Sequence, residues 1–230
     1  EEFRKEFLQN LSHEIKTPIF SIQGYLEILA DGAVEDSKVA MKYIGKSQAN
    51  VQRLVQLVND IDIITNLEIN KEPLLKQQFI IQDTIKDVEN NLSFKLDKKA
   101  IQFSFKKGCE TPIQVFADKN KIYQVLSNII TNAIKYGKQE GEITASIYVL
   151  EDEKVLIEIS DNGIGIAEEH IPRLFERFYR TDDARSRDVG GAGLGLAICK
   201  HIIEAHGESI QVRSKINVGT TVGFTLPSKG

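Results

Sequence analysis

The chain has 230 residues and 25.8 kDa, enough for one or two domains with a real core. Its 41% apolar and 27% charged residues exclude collagen-like, mucin-like and wholly disordered classes, and two cysteines, Cys109 and Cys199, are too few for a disulfide scaffold. A net charge of −4 gives no global basic footprint, so no nucleic-acid partner is expected.

The opening, Glu1 to Glu6, is too charged for a secretory signal and has the texture of mid-helix. The chain is therefore expected to be a fragment of a longer protein. It contains no run of 18 apolar residues, so a membrane is expected to be reached only through a segment absent from this chain.

Leu8, Leu11, Ile15, Pro18, Ile22, Tyr25 and Leu29 step by three and four, the rhythm of a helix seam. Gly32 is a stop signal, and Glu35-Asp36-Ser37 starts a second helix. That helix repeats the rhythm through Ile44, Ser47, Val51, Leu54, Val58 and Ile61, with Val55, Leu57 and Ile64 widening the stripe. Two long helices on a short loop lie antiparallel. Stripes this wide predict that two hairpins pair into a four-helix bundle, a homodimer.

The boundary is placed at Asn70-Lys71-Glu72-Pro73. This gives a helical hairpin over 1–69, a linker over 70–77 and a second domain over 78–230. In that domain strands are expected at Ile101 to Phe105, Glu142 to Leu150, Val155 to Ser160, Ile210 to Ser214 and Thr221 to Leu226. Helices are expected at Ile81 to Leu92, Lys119 to Tyr136 and Leu194 to His206. Hairpin turns fall at Asp152-Glu153 and at Asn217 to Gly219. The fold class is thus an all-α hairpin followed by an α+β sandwich, an antiparallel or mixed sheet with helices on one face. Thr181 to Gly191, polar and glycine-ended, reads as a mobile loop.

Three clusters carry the chemistry. Asn128, Asn132 and Lys135 share a helix face, where two amide oxygens and a cation suit Mg²⁺ and polyphosphate. Asp161-Asn162-Gly163-Ile164-Gly165 is a tight turn beside one carboxylate. Gly190-Gly191-Ala192-Gly193-Leu194-Gly195 runs into an apolar helix whose N-terminal amides favour phosphate. Each glycine cluster alone is equally well an ordinary turn. No Walker P-loop is present, and the glycine spacing fails the Rossmann pattern. With Leu8 at heptad position a, His13 falls at f, pointing outward, with Glu14 beside it and Thr17 one turn on. An exposed imidazole with an adjacent carboxylate can serve as a nucleophile near neutral pH. Phe20, one heptad beyond His13, falls at f as well, unless Pro18 kinks the helix and turns it inward. His170, His201 and His206 read as ordinary histidines.

Phe7 to Pro18, which contains His13-Glu14 and Thr17-Pro18, resembles the H box of bacterial sensor histidine kinases. The Asn128 cluster resembles the N box, the two glycine clusters the two glycine boxes, Phe175 to Arg180 the F box, and Gly219-Thr220-Thr221 the closing strand motif. All stand in family order across essentially the whole chain. The resemblance implies a Bergerat-type ATP-binding domain, with ATP and Mg²⁺ as cofactors. It implies that His13 is the phosphoacceptor, Glu14 the base, and Thr17 the residue that positions water for phosphatase activity. Asn128 and Asn132 would serve Mg²⁺, Lys135 and Arg180 the phosphates, Tyr136 and Asp161 the adenine, Gly163 and Gly165 the passage beside the base. Gly191, Gly193 and Gly195 would shape the lid end at the phosphates. Its implied partners are a second copy and the receiver domain of a response regulator, and its implied location is the cytoplasmic part of an inner-membrane protein. A DNA-gyrase-like ATP hydrolase is disfavoured, because Asn128 stands where that class has a base. A degenerate scaffold is disfavoured because the boxes are intact. Ala192, Glu208 and Val222-Gly223 depart from the usual pattern.

Overall fold

The computed structural model describes residues 2–65, 73–109, 111–181 and 191–229. Helix α1 (Glu2–Ala30) and helix α2 (Ser37–Thr65) form the hairpin. The turn follows its expected chemistry: Gly32 is left-handed at φ 108°, and the Asp36 carboxylate accepts from Lys38 N at 2.9 Å and Val39 N at 3.2 Å to start α2. Helix α1 runs unbroken through Pro18. Much of the predicted seam remains in contact with solvent: Leu8, Ile44, Val51, Val55 and Val58 are exposed in the single chain.

The second unit begins with strand β1 (Lys76–Ile80), so Lys76 and Gln77, assigned to the linker by sequence, already form part of it. The linker residues 70–72 lie outside the described residues. Helix α3 (Ile81–Lys98), β2 (Gln102–Phe105), β3 (Gln114–Asp118), α4 (Lys119–Tyr136), β4 (Glu142–Val149), β5 (Lys154–Asp161), α5 (Gly195–Ala205), β6 (Ile210–Lys215) and β7 (Gly219–Pro227) follow. The main sheet has the order β2-β4-β5-β7-β6 and is mixed: β2 runs parallel to β4, and the other pairings are antiparallel. Strands β1 and β3 form a separate two-stranded ribbon.

Alternation decides which side chains meet. Ala145, Ile159 and Val222 share one row across the sheet, and Ile147, Ile157 and Phe224 share the next. These rows pack under Ile85 and Val88 of α3, Ile122, Val125, Leu126, Ile129 and Ile130 of α4, and Ile198, Ile202 and Ile203 of α5, all buried. Leu57 and Ile64 of α2 join the same core, so the hairpin and the second unit share apolar contact.

Candidate active site

Helix α4 is placed by its caps. At its start Asp118 Oδ1 accepts from Asn120 N at 3.1 Å and Lys121 N at 3.2 Å. At its end the Lys99 ammonium donates to the carbonyls of Ile134, Lys135 and Gly137 at 2.8, 2.9 and 3.2 Å. The face opposite the buried Ile122, Leu126 and Ile130 carries Asn128, Asn132 and Lys135 toward a cleft of about 1470 Å³. Lys135 Nζ lies 4.7 Å from the centre of the Tyr136 ring. Asn128 Nδ2 donates to Gly195 O at 3.3 Å, so its amide oxygen is the atom that could meet a cation.

The alternation of β5 explains Asp161. Val155, Ile157 and Ile159 face the helices, and Asp161 is the next residue of that set, paired with Ile143 on one side and Thr220 on the other. It sits where the helical cover ends and the cleft begins. Burial pushes its carboxyl above the ordinary value of 3.8, against hydrogen bonds from the backbone of Gly163 and Thr220. The Gly163 N–H bond to Asp161 Oδ1 measures 2.8 Å.

The glycines answer to the protein's own backbone. A Cβ at Gly163 would lie 2.6 Å from the Tyr136 carbonyl, and one at Gly165, where φ is +69°, would run into the Lys215 carbonyl. At Gly193, where φ is +76°, a Cβ would lie 2.8 Å from the Phe178 backbone, whose N–H donates to Gly193 O at 3.0 Å. A Cβ at Gly191 would come within 3.0 Å of Lys135 Nζ. The predicted loop lies outside the described residues over 182–190, which include Gly190. Arg180, Gly191, Gly193 and Gly195 all line the cleft.

The hairpin forms the facing wall. His13 is exposed, whereas Glu14 and Thr17 line the same cleft as Asn128, Asn132, Lys135 and Asp161. Thr17 Oγ1 donates to the His13 carbonyl at 3.1 Å. Glu14 Oε2 pairs with Arg53 Nη2 of α2 at 2.8 Å, a contact that sequence patterning did not single out. Phe20 is 65% exposed, so α1 does not turn it inward within the single chain. Phe7 packs against Phe178 of the F box with ring centres 5.5 Å apart and planes tilted by 54°, and Arg177 lies over Phe7 at 5.6 Å. Both contacts tie α1 to the second unit.

The departures from the family pattern are accounted for structurally. Glu208 accepts from Thr225 Oγ1 at 2.6 Å and pairs with Lys154 at 3.1 Å, bridging to β5 and β7. Gly223 lies opposite Glu158, where a Cβ would be 3.2 Å from Glu158 Cγ, and Glu158 reaches across to Arg213 on β6. Ala192 packs half-buried against the core.

The amide oxygens of Asn128 and Asn132 are hard ligands of the kind Mg²⁺ accepts. Among the described residues no group of three or more His, Cys, Asp or Glu could cage a metal, so an ion here would take its remaining ligands from water and phosphate.

Fold and cleft together define an ATP-binding α+β domain joined to a phosphoacceptor-type hairpin. Residues 117–230 match the histidine kinase-, DNA gyrase B- and HSP90-like ATPases, and residues 3–68 match the His kinase A phospho-acceptor domain. The chain belongs to the sensor histidine kinases, of which it is the catalytic core. It is 38% identical over 232 residues to the sensor histidine kinase WalK of Bacillus subtilis (strain 168), covering 98% of this chain and 37% of that protein. Among solved structures it resembles histidine kinase ThkA in complex with response regulator protein TrrA (TM-score 0.78, 28% identity, 97% of this chain and 61% of that one). It also resembles the Acinetobacter baumannii histidine kinase AdeS (TM-score 0.73, 25% identity, 95% of this chain and 98% of that one). The chain thus spans little more than a third of its WalK relative.

Proposed function

We propose that this chain transfers the γ-phosphoryl group of ATP to His13 and then to an aspartate in the receiver domain of a response regulator. One ring nitrogen of His13 attacks the γ-phosphorus, so a P–N bond forms while the P–O bond to ADP breaks and ADP leaves with the electron pair. The other ring nitrogen gives its proton to Glu14. The observation that carries this reading is a single cleft lined from one side by Glu14 and Thr17, next to His13, and from the other by the three ATP-binding clusters.

Asp161 accepts the adenine amino group, Tyr136 flanks the base, and Gly163 and Gly165 shape its passage. Lys135 and Arg180 meet the phosphates, and Gly191, Gly193 and Gly195 present backbone amides there. Asn128 and Asn132 would hold Mg²⁺, which neutralises phosphate charge when bound. Thr17 keeps its oxygen lone pairs while donating to His13 O, and so accepts a hydrogen bond from the water that dephosphorylates the regulator. The exposed row of Ile44, Val51, Val55 and Val58 is covered by a second hairpin in a homodimer. Exposed Phe20 contacts the regulator. The whole protein places this core in the cytoplasm, joined to a membrane segment outside the chain; no helix among the described residues is long and apolar enough to cross a membrane.

The test is transfer from γ-labelled ATP. Wild type takes up acid-labile label, and His13→Ala binds ATP without becoming labelled. Acid-labile label persisting on the alanine variant overturns the assignment.

A further inference from the structure

We infer that Arg53 of α2 is the positioning residue for the base of autophosphorylation, Glu14. The inference rests on the kinase reading above. Three observations carry it. Arg53 Nη2 meets Glu14 Oε2 at 2.8 Å across 39 residues of sequence, and both side chains are largely withdrawn from water, at 31% and 25% exposure. Both residues line the cleft, opposite Asn128, Asn132 and Lys135. Asp60, two turns further along α2 and on the same cleft, bonds instead to Gln56 Nε2 at 2.8 Å, so the guanidinium is committed across the hairpin to α1.

The geometry creates a need for such a residue. His13 and Glu14 are consecutive on a helix, so their side chains leave the axis about 100° apart. An untethered glutamate samples several rotamers there, and only some bring its carboxylate to the imidazole. Arg53 restricts that choice by binding one carboxylate oxygen. An ionised carboxylate has roughly four acceptor positions, so the second oxygen remains available for the imidazole N–H. The guanidinium also offsets the Glu14 charge where a polyanionic triphosphate must approach. Arg53 itself gives up no proton: the proton moves from the His13 ring nitrogen to Glu14 as the P–N bond forms. Arg53 therefore acts through Glu14, the group that takes the proton.

The test is a double-mutant cycle on the whole chain, read as single-turnover labelling of His13 by γ-labelled ATP, with melting temperature recorded for every variant. Arg53→Met, which keeps the aliphatic stem, is expected to slow labelling by about 10- to 100-fold while the KM for ATP stays within about twofold. Arg53→Lys recovers part of the rate, because it restores the charge without the planar fork. In a Glu14→Gln background, Arg53→Met has little further effect, because its only route is already lost. Unchanged labelling in Arg53→Met, or an equal further loss in the Glu14→Gln background, overturns the inference. If Arg53→Met fails to fold, Arg53→Lys with and without Glu14→Gln gives the same discrimination. Wild type labelled on His13 beside a normal Arg53→Met rejects only this inference, whereas label elsewhere than His13 rejects the kinase reading and this inference together.

Discussion

The adenine role proposed for Asp161 rests on where its side chain stands. It is ionisable, cleft-facing and at the end of the buried row of β5, so it pairs the reach of a core residue with access to ligand. Exchanging one acceptor oxygen for an amide donor in Asp161→Asn leaves a mismatched group in a partly dry site. That costs about 1–3 kcal/mol, a loss of roughly 5- to 150-fold in ATP affinity by titration calorimetry. Burial has raised the Asp161 carboxyl above 3.8, and the proposed contact to the adenine amino group needs its ionised form, so wild-type affinity should weaken on acidification earlier than a solvated aspartate would dictate. An ATP affinity that is pH-independent in this range, and equal in Asp161→Asn, would contradict the adenine role. Cys199 lies beneath Asn128 with its thiol pushed by burial up to about 12, and so acts as a neutral packing group.

At the scale of elements, α5 is held at its C-terminal end by His206. The ring accepts from Asp118 N at Nε2, 3.0 Å away, and its Nδ1 lies 2.7 Å from Ile202 O, the arrangement of a neutral imidazole. Burial depresses its pKa below 6.5, with Lys76 adding to the depression and Ile202, Asp118 and Glu208 opposing it. A depressed folded-state value means the histidine supports the fold above the unfolded pKa of 6.5, and this support is lost as pH falls through the folded value. The melting temperature should therefore drop between pH 7.5 and 5.5, and His206→Gln should shrink that drop. His201, also depressed by burial and Arg177, contributes in the same sense, so some of the slope survives in the variant. An identical slope in wild type and His206→Gln would contradict this.

The same elements show what the sequence made legible. Long periodic segments were readable: both hairpin helices, α4 with its end points, and five strands of the main sheet follow directly from apolar spacing. Strands β1 and β3 were not. Lys76, Gln77 and Gln78 are exposed, so β1 carries no apolar alternation, and β3 is five residues long with its partner 38 positions away. The residues proposed for ATP stood out as glycine and asparagine clusters of unusual composition, and most of them line one cleft. Arg53 was missed because an arginine on a helix flank has no local signature; only the approach of α1 to α2 reveals its partner.

For the whole molecule, the hairpin and the ATP-binding domain share buried contact through Leu57 and Ile64 and touch through the tilted Phe7–Phe178 ring pair. Leu57→Asp would place an unpaired charge in that contact. Its calorimetric unfolding should separate into two transitions where wild type shows a single coupled one, and one coupled transition in the variant would argue that the contact contributes little. Transfer between the two walls of the cleft is nevertheless the central claim, and the most direct measurement is the site of label from γ-labelled ATP. The account predicts acid-labile phosphate on His13, absent from His13→Ala although that variant still binds ATP. Label on another residue, or free phosphate released with no protein-bound intermediate, would contradict it.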